Sequence, residues 1–295
     1  MLLKVKDSKE EDLIALQRLL SLKGISHKQR FFMEREIRNI KKGDKGEKDA
    51  AYYIDFYYAN SKNWVVIHDL RLEYQGQVAQ IDHLLINRMF HIYVLESKNF
   101  GFSQLKINEF GEFEVKYGQY YFGIPSPVEQ NQRHIDLLTK IINDNRLMPR
   151  RIGLPRMPVF FNYILVSPQT KIVRPKNKEY QYENVIKADM LKKVIDKNID
   201  KVSAIEIVKS LYNLCSLEVV CEFGKRLIAL HKPRKIDWNK KFGINVGKEK
   251  KKIVKYYCFK CGKSISEKVA KFCWNNKDKF RGKAYCYDCQ RLLKS

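Results

Sequence analysis

Two strand-length runs, Gln77 to Ile86 and His91 to Glu96, are joined by the turn-like Asn87-Arg88-Met89-Phe90, and this hairpin constrains the fold more than any other feature. Residue 89 is midway between Asp82 and Glu96. A turn centred there sets the two acids opposite each other on adjacent strands, with Cβ atoms roughly 4.5 to 5.5 Å apart. Strand side chains alternate between faces, so Lys98 shares the side of Glu96 and Gln80 that of Asp82. Four polar groups then converge on one face. An unpaired carboxylate inside an apolar strand is strongly unfavourable. The cluster therefore reads either as a structural ion pair between Lys98 and one acid or as a site where one divalent cation bridges both acids. An acid-x-lysine triplet by itself says little, because 33 acidic residues and 41 lysines in 295 give about five by chance. Specificity comes from the second acid across the hairpin.

A chain of 295 residues with 44 % hydrophobic content can bury one substantial core and carry a small appendage. Its first twelve residues are charged where a signal peptide has an apolar stretch, and no uncharged apolar run approaches the roughly 18 residues of a membrane span. These features lead us to expect a soluble, cytoplasmic protein. The net charge of +24 is concentrated: residues 233–295 hold 19 Lys or Arg against 5 Asp or Glu, or +14 of the total. Counterion release favours binding of such a segment to a polyanion, so nucleic acid is the expected partner. No apolar helix accompanies the charge, which argues against a membrane surface. A protein partner or a second copy of the chain is left open.

Ser8 and Glu11 form a capping-box pattern before a helix over about 9–22. A basic helical stretch over 26–42 is interrupted at Gly43 and Gly46, and the periodicity resumes from Glu47 through Tyr58, with Asp44-Lys45-Gly46-Glu47 itself a capping-box pattern. A strand at Trp64–His68 precedes the hairpin. Beyond Lys98, glycines and aromatic residues suggest a meander. A helix follows over about 128–143, then a continuously apolar strand over 158–166, then helices near 188–197 and 201–214. This alternation predicts an α/β sandwich around a mixed sheet. Cys215 and Cys221 read as core thiols. Residues 233–255 read as a basic linker.

Cys258-Phe259-Lys260-Cys261 and Cys286-Tyr287-Asp288-Cys289 are two knuckles separated by 24 residues. Each can supply one edge of a tetrahedral thiolate site, and Gly262 suits the tight turn behind the first. Disulfides conflict with a reducing compartment, and so short a segment has too little core to fold unaided. We therefore expect a four-cysteine module over 256–295 that binds zinc or, less readily, iron. Cys273, between the knuckles, is either an alternative ligand or a small buried residue. Lys277, Lys279, Phe280, Arg281 and Lys283 equip the module to grip nucleic acid.

Gly46-Glu47, Gln80-Ile81-Asp82-His83, Glu96-Ser97-Lys98-Asn99, Gly101 and Pro127-Val128-Glu129-Gln130-Asn131-Gln132 occur in one order and spacing. Together they resemble the nuclease-related domain, NERD, a branch of the PD-(D/E)XK nuclease superfamily, over about residues 43–215; some relatives likewise carry a cysteine-rich zinc module at the carboxyl end. The resemblance implies a restriction-endonuclease-like mixed sheet flanked by helices over 43–232, preceded by a helical extension over 1–42 and followed by the linker and a zinc-ribbon-like module. It implies a Mg2+- or Mn2+-dependent nuclease, with DNA favoured over RNA. Asp82 and Glu96 would be the metal ligands and the Ser97 carbonyl a further oxygen. Lys98 would position water or stabilise the transition state, Glu47 would complete the metal shell or orient water, and Gln130 would align substrate or water. His134 stands where some relatives have tyrosine. His83 faces away from Asp82 and reads as structural. A nuclease fold that only clamps nucleic acid or a partner is the alternative.

Overall fold

The computed structural model describes residues 1–100, 103–200, 211–244 and 256–293. It divides into two compact units, Met1–Trp238 and Asn239–Ser295. No described helix is long and apolar enough to cross a membrane.

The first unit is built on a six-stranded mixed sheet of β1 (Leu2–Lys4), β2 (Trp64–Tyr74), β3 (Gln77–Asn87), β4 (His91–Lys98), β10 (Val159–Val166) and β12 (Val185–Lys187), in that order. The β2–β3–β4 meander is antiparallel, whereas β1 lies parallel to β2, and β4, β10 and β12 run parallel to one another. β5 (Gln104–Ile107), β6 (Phe113–Tyr117), β7 (Tyr120–Ile124) and β11 (Lys171–Val173) make a second sheet, ordered β11-β5-β6-β7, and β8 (Arg150–Arg151) with β9 (Leu154–Pro155) is a minor ribbon.

Each face of the main sheet has its own helices, as the period-two pattern of the strands requires. Val65, Ile67, Leu84, Ile86, Ile92 and Val94 point to one side, where they meet Ile135, Leu138 and Ile142 of α3 (Pro127–Asp144) and Phe223 and Leu227 of α5 (Leu217–Ala229). Val66, Leu85, Tyr93 and Leu95 point to the other, against Ala50, Ile54 and Tyr58 of α2 (His27–Tyr58) and Leu191 and Ile195 of α4 (Leu191–Asp200). The result is the expected mixed-sheet sandwich. The expected helix over 201–214 lies largely outside the described residues. The sequence reading places no helix at α5, whose opening holds Cys221, one of the two expected core thiols with Cys215. Cys215 is buried, but Cys221 is only half-buried on that helix.

α1 (Glu10–Leu20) begins one residue later than its pattern suggested. Ser8 Oγ accepts from the Glu10 amide at 3.1 Å, while Lys9, the N-cap, makes no side-chain cap bond. The capping box of this region belongs instead to α2, where Ser26 and Gln29 satisfy each other's amides. α2 also corrects the reading of Gly43 and Gly46 as interruptions. It runs 32 residues without a break, through the expected start of the nuclease-like domain at residue 43. Local propensity, about 1 kcal/mol against each glycine, yields to tertiary packing. A Cβ at Gly46 would lie 2.5 Å from the Cβ of Asn99, just past Lys98. We expect Gly46→Ala to lower stability by about 1–2 kcal/mol in urea titration: overpacking against a backbone-fixed atom costs about 1–3 kcal/mol, more than the helix-propensity gain. A stabilised variant would show that Asn99 is free to move.

In the second unit, β13 (Tyr256–Tyr257) and β14 (Ser264–Ile265) flank the first cysteine knuckle, and three short helices follow, α6 (Glu267–Asn275), α7 (Lys277–Phe280) and α8 (Tyr287–Arg291).

Candidate active site and metal centre

The β3–β4 register pairs Ile86 with Ile92 and His83 with Leu95, so the next pair along is Asp82 and Glu96. Both point to the α3 side of the sheet, where β4 ends and the helix begins. The Ser97 amide donates to Asp82 Oδ2 at 2.8 Å. Glu96, only 4 % exposed, accepts on Oε1 from Lys98 Nζ at 2.7 Å and from Gln130 Nε2 at 3.0 Å, and Lys98 also donates to Gln130 Oε1 at 3.2 Å. Glu96 Oε2 is buried and has no hydrogen-bond partner; His134 Nδ1 is 3.8 Å away. Burial, reinforced by the charges of Lys98 and Arg133, lowers the His134 pKa to about 4, so this imidazole is neutral at physiological pH and cannot neutralise the acid.

Glu47 approaches from α2 and is held by Lys6 Nζ at 2.8 Å; the same ammonium reaches Asp44 at 2.5 Å. Burial pushes the Glu47 carboxyl up, against the pull of Lys6. The same cause raises Glu96, and Asp82 rises well above the carboxylate range through burial and then the charges of Glu96 and Glu47. Three acids that resist ionisation together form a site short of positive charge.

Gln80 does not join this cluster. It donates to Asp69, a buried residue held in the left-handed region at φ 54°. The left-handed pair Gln75 and Gly76 closes the β2–β3 hairpin in a register that sets His68 across from His83 and Asp69 level with Asp82. Asp69 Oδ2 takes the Asp7 amide at 3.2 Å and Lys9 Nζ at 3.4 Å. The two-residue turn at 75–76 was the signal that could have revealed Asp69 and His68.

Ser97 and His83 project to the α2 side. Ser97 Oγ lies 2.8 Å from His83 Nε2, His83 Nδ1 is 2.7 Å from His68 Nδ1, and His68 Nε2 is 3.0 Å from Asp55 Oδ1 on α2. His83 thus faces away from Asp82, as strand alternation requires, yet it is bonded to the residue that holds Asp82.

A cleft of about 420 Å³ adjoins the site, lined by Gln77, Gln130, Arg133, His134, Asp136 and Lys140. The chemistry of the donors fits a hard, oxygen-preferring cation: two register-matched carboxylates, a buried carboxylate oxygen without a partner, and a local deficit of positive charge. Glu47, Asp82 and Glu96 do not close on one another as tightly as the cysteines do. Among the described residues, the group of three or more metal-ligating atoms within 4.8 Å of one another is Cys258, Cys261, Cys286 and Cys289.

Those four cysteines are positioned to bind one metal ion. The Cys261 and Cys286 sulfurs are 3.7 Å apart, close to the tetrahedron edge of about 3.8 Å that Zn–S bonds of about 2.3 Å require. Gly262, at φ 69°, turns the knuckle so that its amide bonds the Cys258 carbonyl at 2.9 Å. Burial opposes ionisation of Cys258, but the amides of Cys286, Cys261 and Lys260 prevail and bring its pKa to about 6. Cys289, buried beside three other sulfurs, is pushed up to about 12. One thiolate forms readily and the last resists, a pattern that a divalent cation relieves. Zinc is compatible with this set. Cys273 stands apart: it is fully buried among Ala270, Phe280 and Ala284, and its sulfur meets the Tyr285 amide at 3.4 Å and Gln290 Nε2 at 3.2 Å.

The mixed sheet flanked by helices, with two carboxylates and a lysine near the end of its central hairpin, is consistent with a nuclease-like fold. Residues 42–167 match the family model described as nuclease-related domain, NERD. The match ends just after β10, one strand short of the sheet's edge at β12. No curated protein and no solved structure matches the chain.

Proposed function

We propose that this protein is a Mg2+- or Mn2+-dependent nuclease that hydrolyses phosphodiester bonds in DNA, with the zinc-bound cysteine module gripping the nucleic acid. The observation that carries this reading is the buried, partnerless Oε2 of Glu96, set in register with Asp82 and adjoined by Lys98 and Gln130. Asp82 and Glu96 are the ligands, the Ser97 carbonyl is a further oxygen, and Glu47 completes the set. A bound cation would polarise the scissile phosphate and acidify the attacking water. Lys98 places its ammonium where charge develops on the phosphate, and Gln130, bonded to both Glu96 and Lys98, orients them and the substrate. The cleft beside Gln130 carries Arg133 and Lys140, two cations suited to a phosphate backbone.

The test is cleavage of labelled linear duplex, circular single-stranded and supercoiled DNA, and of RNA, with Mg2+ or Mn2+. Metal-dependent DNA products are expected. Binding without cleavage under either metal would favour a non-catalytic clamp, and cleavage confined to RNA would correct the substrate.

The raised carboxyls also set a pH dependence. Between the ordinary carboxyl value, 4.5 for glutamate, and their higher folded values, the native protein holds protons that the unfolded chain has released. In the absence of metal, stability therefore falls as pH rises through that window. A cation binds the deprotonated acids and reverses the loss. Adding Mn2+ should raise the melting temperature more at about pH 7.5 than at about pH 5. A larger rise at the lower pH would contradict this assignment of the acids.

A further inference from the structure

The Asp55–His68–His83–Ser97 side-chain series crosses the face of the sheet opposite the proposed site and, the Ser97 main chain apart, has no part in the chemistry described so far. His68 and His83 are both buried, on neighbouring strands, with their rings edge-to-face and the two Nδ1 atoms 2.7 Å apart. Two ring nitrogens at that distance must share one proton, so one donates and the other accepts. The carboxylate of Asp55 settles which: it can only accept, so His68 carries its proton on Nε2. On a singly protonated His68 ring, Nδ1 is then bare and accepts from His83 Nδ1–H. His83 in turn has a bare Nε2, which accepts the hydroxyl proton of Ser97. Every donor in the series runs toward Asp55. The half-exposed carboxylate on α2 thereby fixes the orientation of a hydroxyl on β4 across two strands.

Ser97 spends its two donors in opposite directions. Its hydroxyl is bound to His83 on one face, and its amide holds Asp82 Oδ2 on the other. We infer that Asp55, His68 and His83 are positioning residues, acting through Ser97 to hold the Asp82 carboxylate in place for a divalent cation. The inference rests on the metal-dependent reading of Asp82 and Glu96. It differs from a purely structural histidine pair in one respect: breaking the chain at its far end, at Asp55 on α2, must be felt at the metal.

The experiment is Mn2+ titration of the purified full-length chain by calorimetry, with the metal-free melting curve of each variant as the control for folding. Removal of an outer hydrogen-bond partner of a metal ligand typically costs 10–100-fold in affinity. Ser97→Ala and Asp55→Ala should each weaken Mn2+ binding about tenfold. Asp55→Asn, which keeps an acceptor for His68 Nε2–H, should restore most of the loss. The double variant Asp55→Ala, Ser97→Ala should bind no more weakly than Ser97→Ala alone, because the chain is already cut. Asp55 lies at the partly exposed end of the chain, so its variants keep the buried histidines in place even if Ser97→Ala proves poorly folded. Wild-type binding that stays within twofold in Asp55→Ala, or losses that multiply in the double variant, would overturn the inference alone. A wild type that neither binds Mn2+ nor cleaves any substrate would remove the metal reading and this inference together.

Discussion

Glu96→Gln should abolish metal-dependent cleavage while leaving the protein folded. Loss of a charged group that acts directly on the developing transition state costs on the order of 10²–10³-fold in turnover, and a metal ligand belongs at or above the upper end. The expected effect on stability is small and has a definite cause. In the wild type the Glu96 carboxyl is raised by burial, which means that its charge is held at a cost in the metal-free protein. The amide keeps an oxygen for Lys98 and for the Gln130 side chain, and Lys98, part-exposed, can be solvated when it loses its counter-ion. We therefore expect the unfolding free energy from urea titration to change by no more than about 1 kcal/mol, in either direction. Retained cleavage in this variant would move the chemistry elsewhere. A large loss of stability would return Glu96 and Lys98 to the status of a structural ion pair.

Stripping the metal from the cysteine module should unfold that unit and spare the other. Among the described residues its core outside the cysteine site is little more than Val269, Ala270, Cys273, Phe280 and Ala284, too small to hold a chain of this length without a cross-link. Structural zinc supplies on the order of 10–16 kcal/mol to comparable modules. Cys258→Ser, or a strong chelator, should remove the native amide signals of residues 256–293 while the remaining signals and the main melting transition persist. Elemental analysis of the purified protein should give one zinc per chain. Iron would correct the metal, and an unchanged module after metal removal would show that its hydrogen bonds suffice. The segment 233–295 carries +14 of the net charge, so the same treatment should weaken DNA binding and flatten its dependence on salt.

The parts of this fold that were legible in the sequence are those fixed by short-range rules. The β3–β4 hairpin follows from two apolar runs and a four-residue turn, and once its centre is known the facing of Asp82 and Glu96 follows by counting. The cysteine knuckles are equally local. What escaped the reading depended on distant partners. Gly43 and Gly46 look like breakers, yet the helix runs through both and at Gly46 Asn99 fills the space a side chain would need, and Gln80 counts as part of the cluster until Asp69 claims it. Lys6, from a segment expected to lie outside the domain, reaches Glu47 only because β1 joins the sheet beside β2. The histidine pair depends on the register of β2 against β3, which the two-residue turn at Gln75 and Gly76 encodes.

The alternation that separates Asp82 from His83 also makes the β3–β4 connection intolerant in an unusual way. Inserting or deleting one residue between Asn87 and His91 would invert β3 against β4, sending Asp82 toward the α2 side and bringing His83 beside Glu96. The chain would still have every residue of its motif, in the same order, and a sheet of the same strands. Natural variation at this connection should therefore hold its length, together with the buried Phe90 and the turn-holding Asn87, and a lineage in which the length has drifted by one will have kept the scaffold and lost the centre.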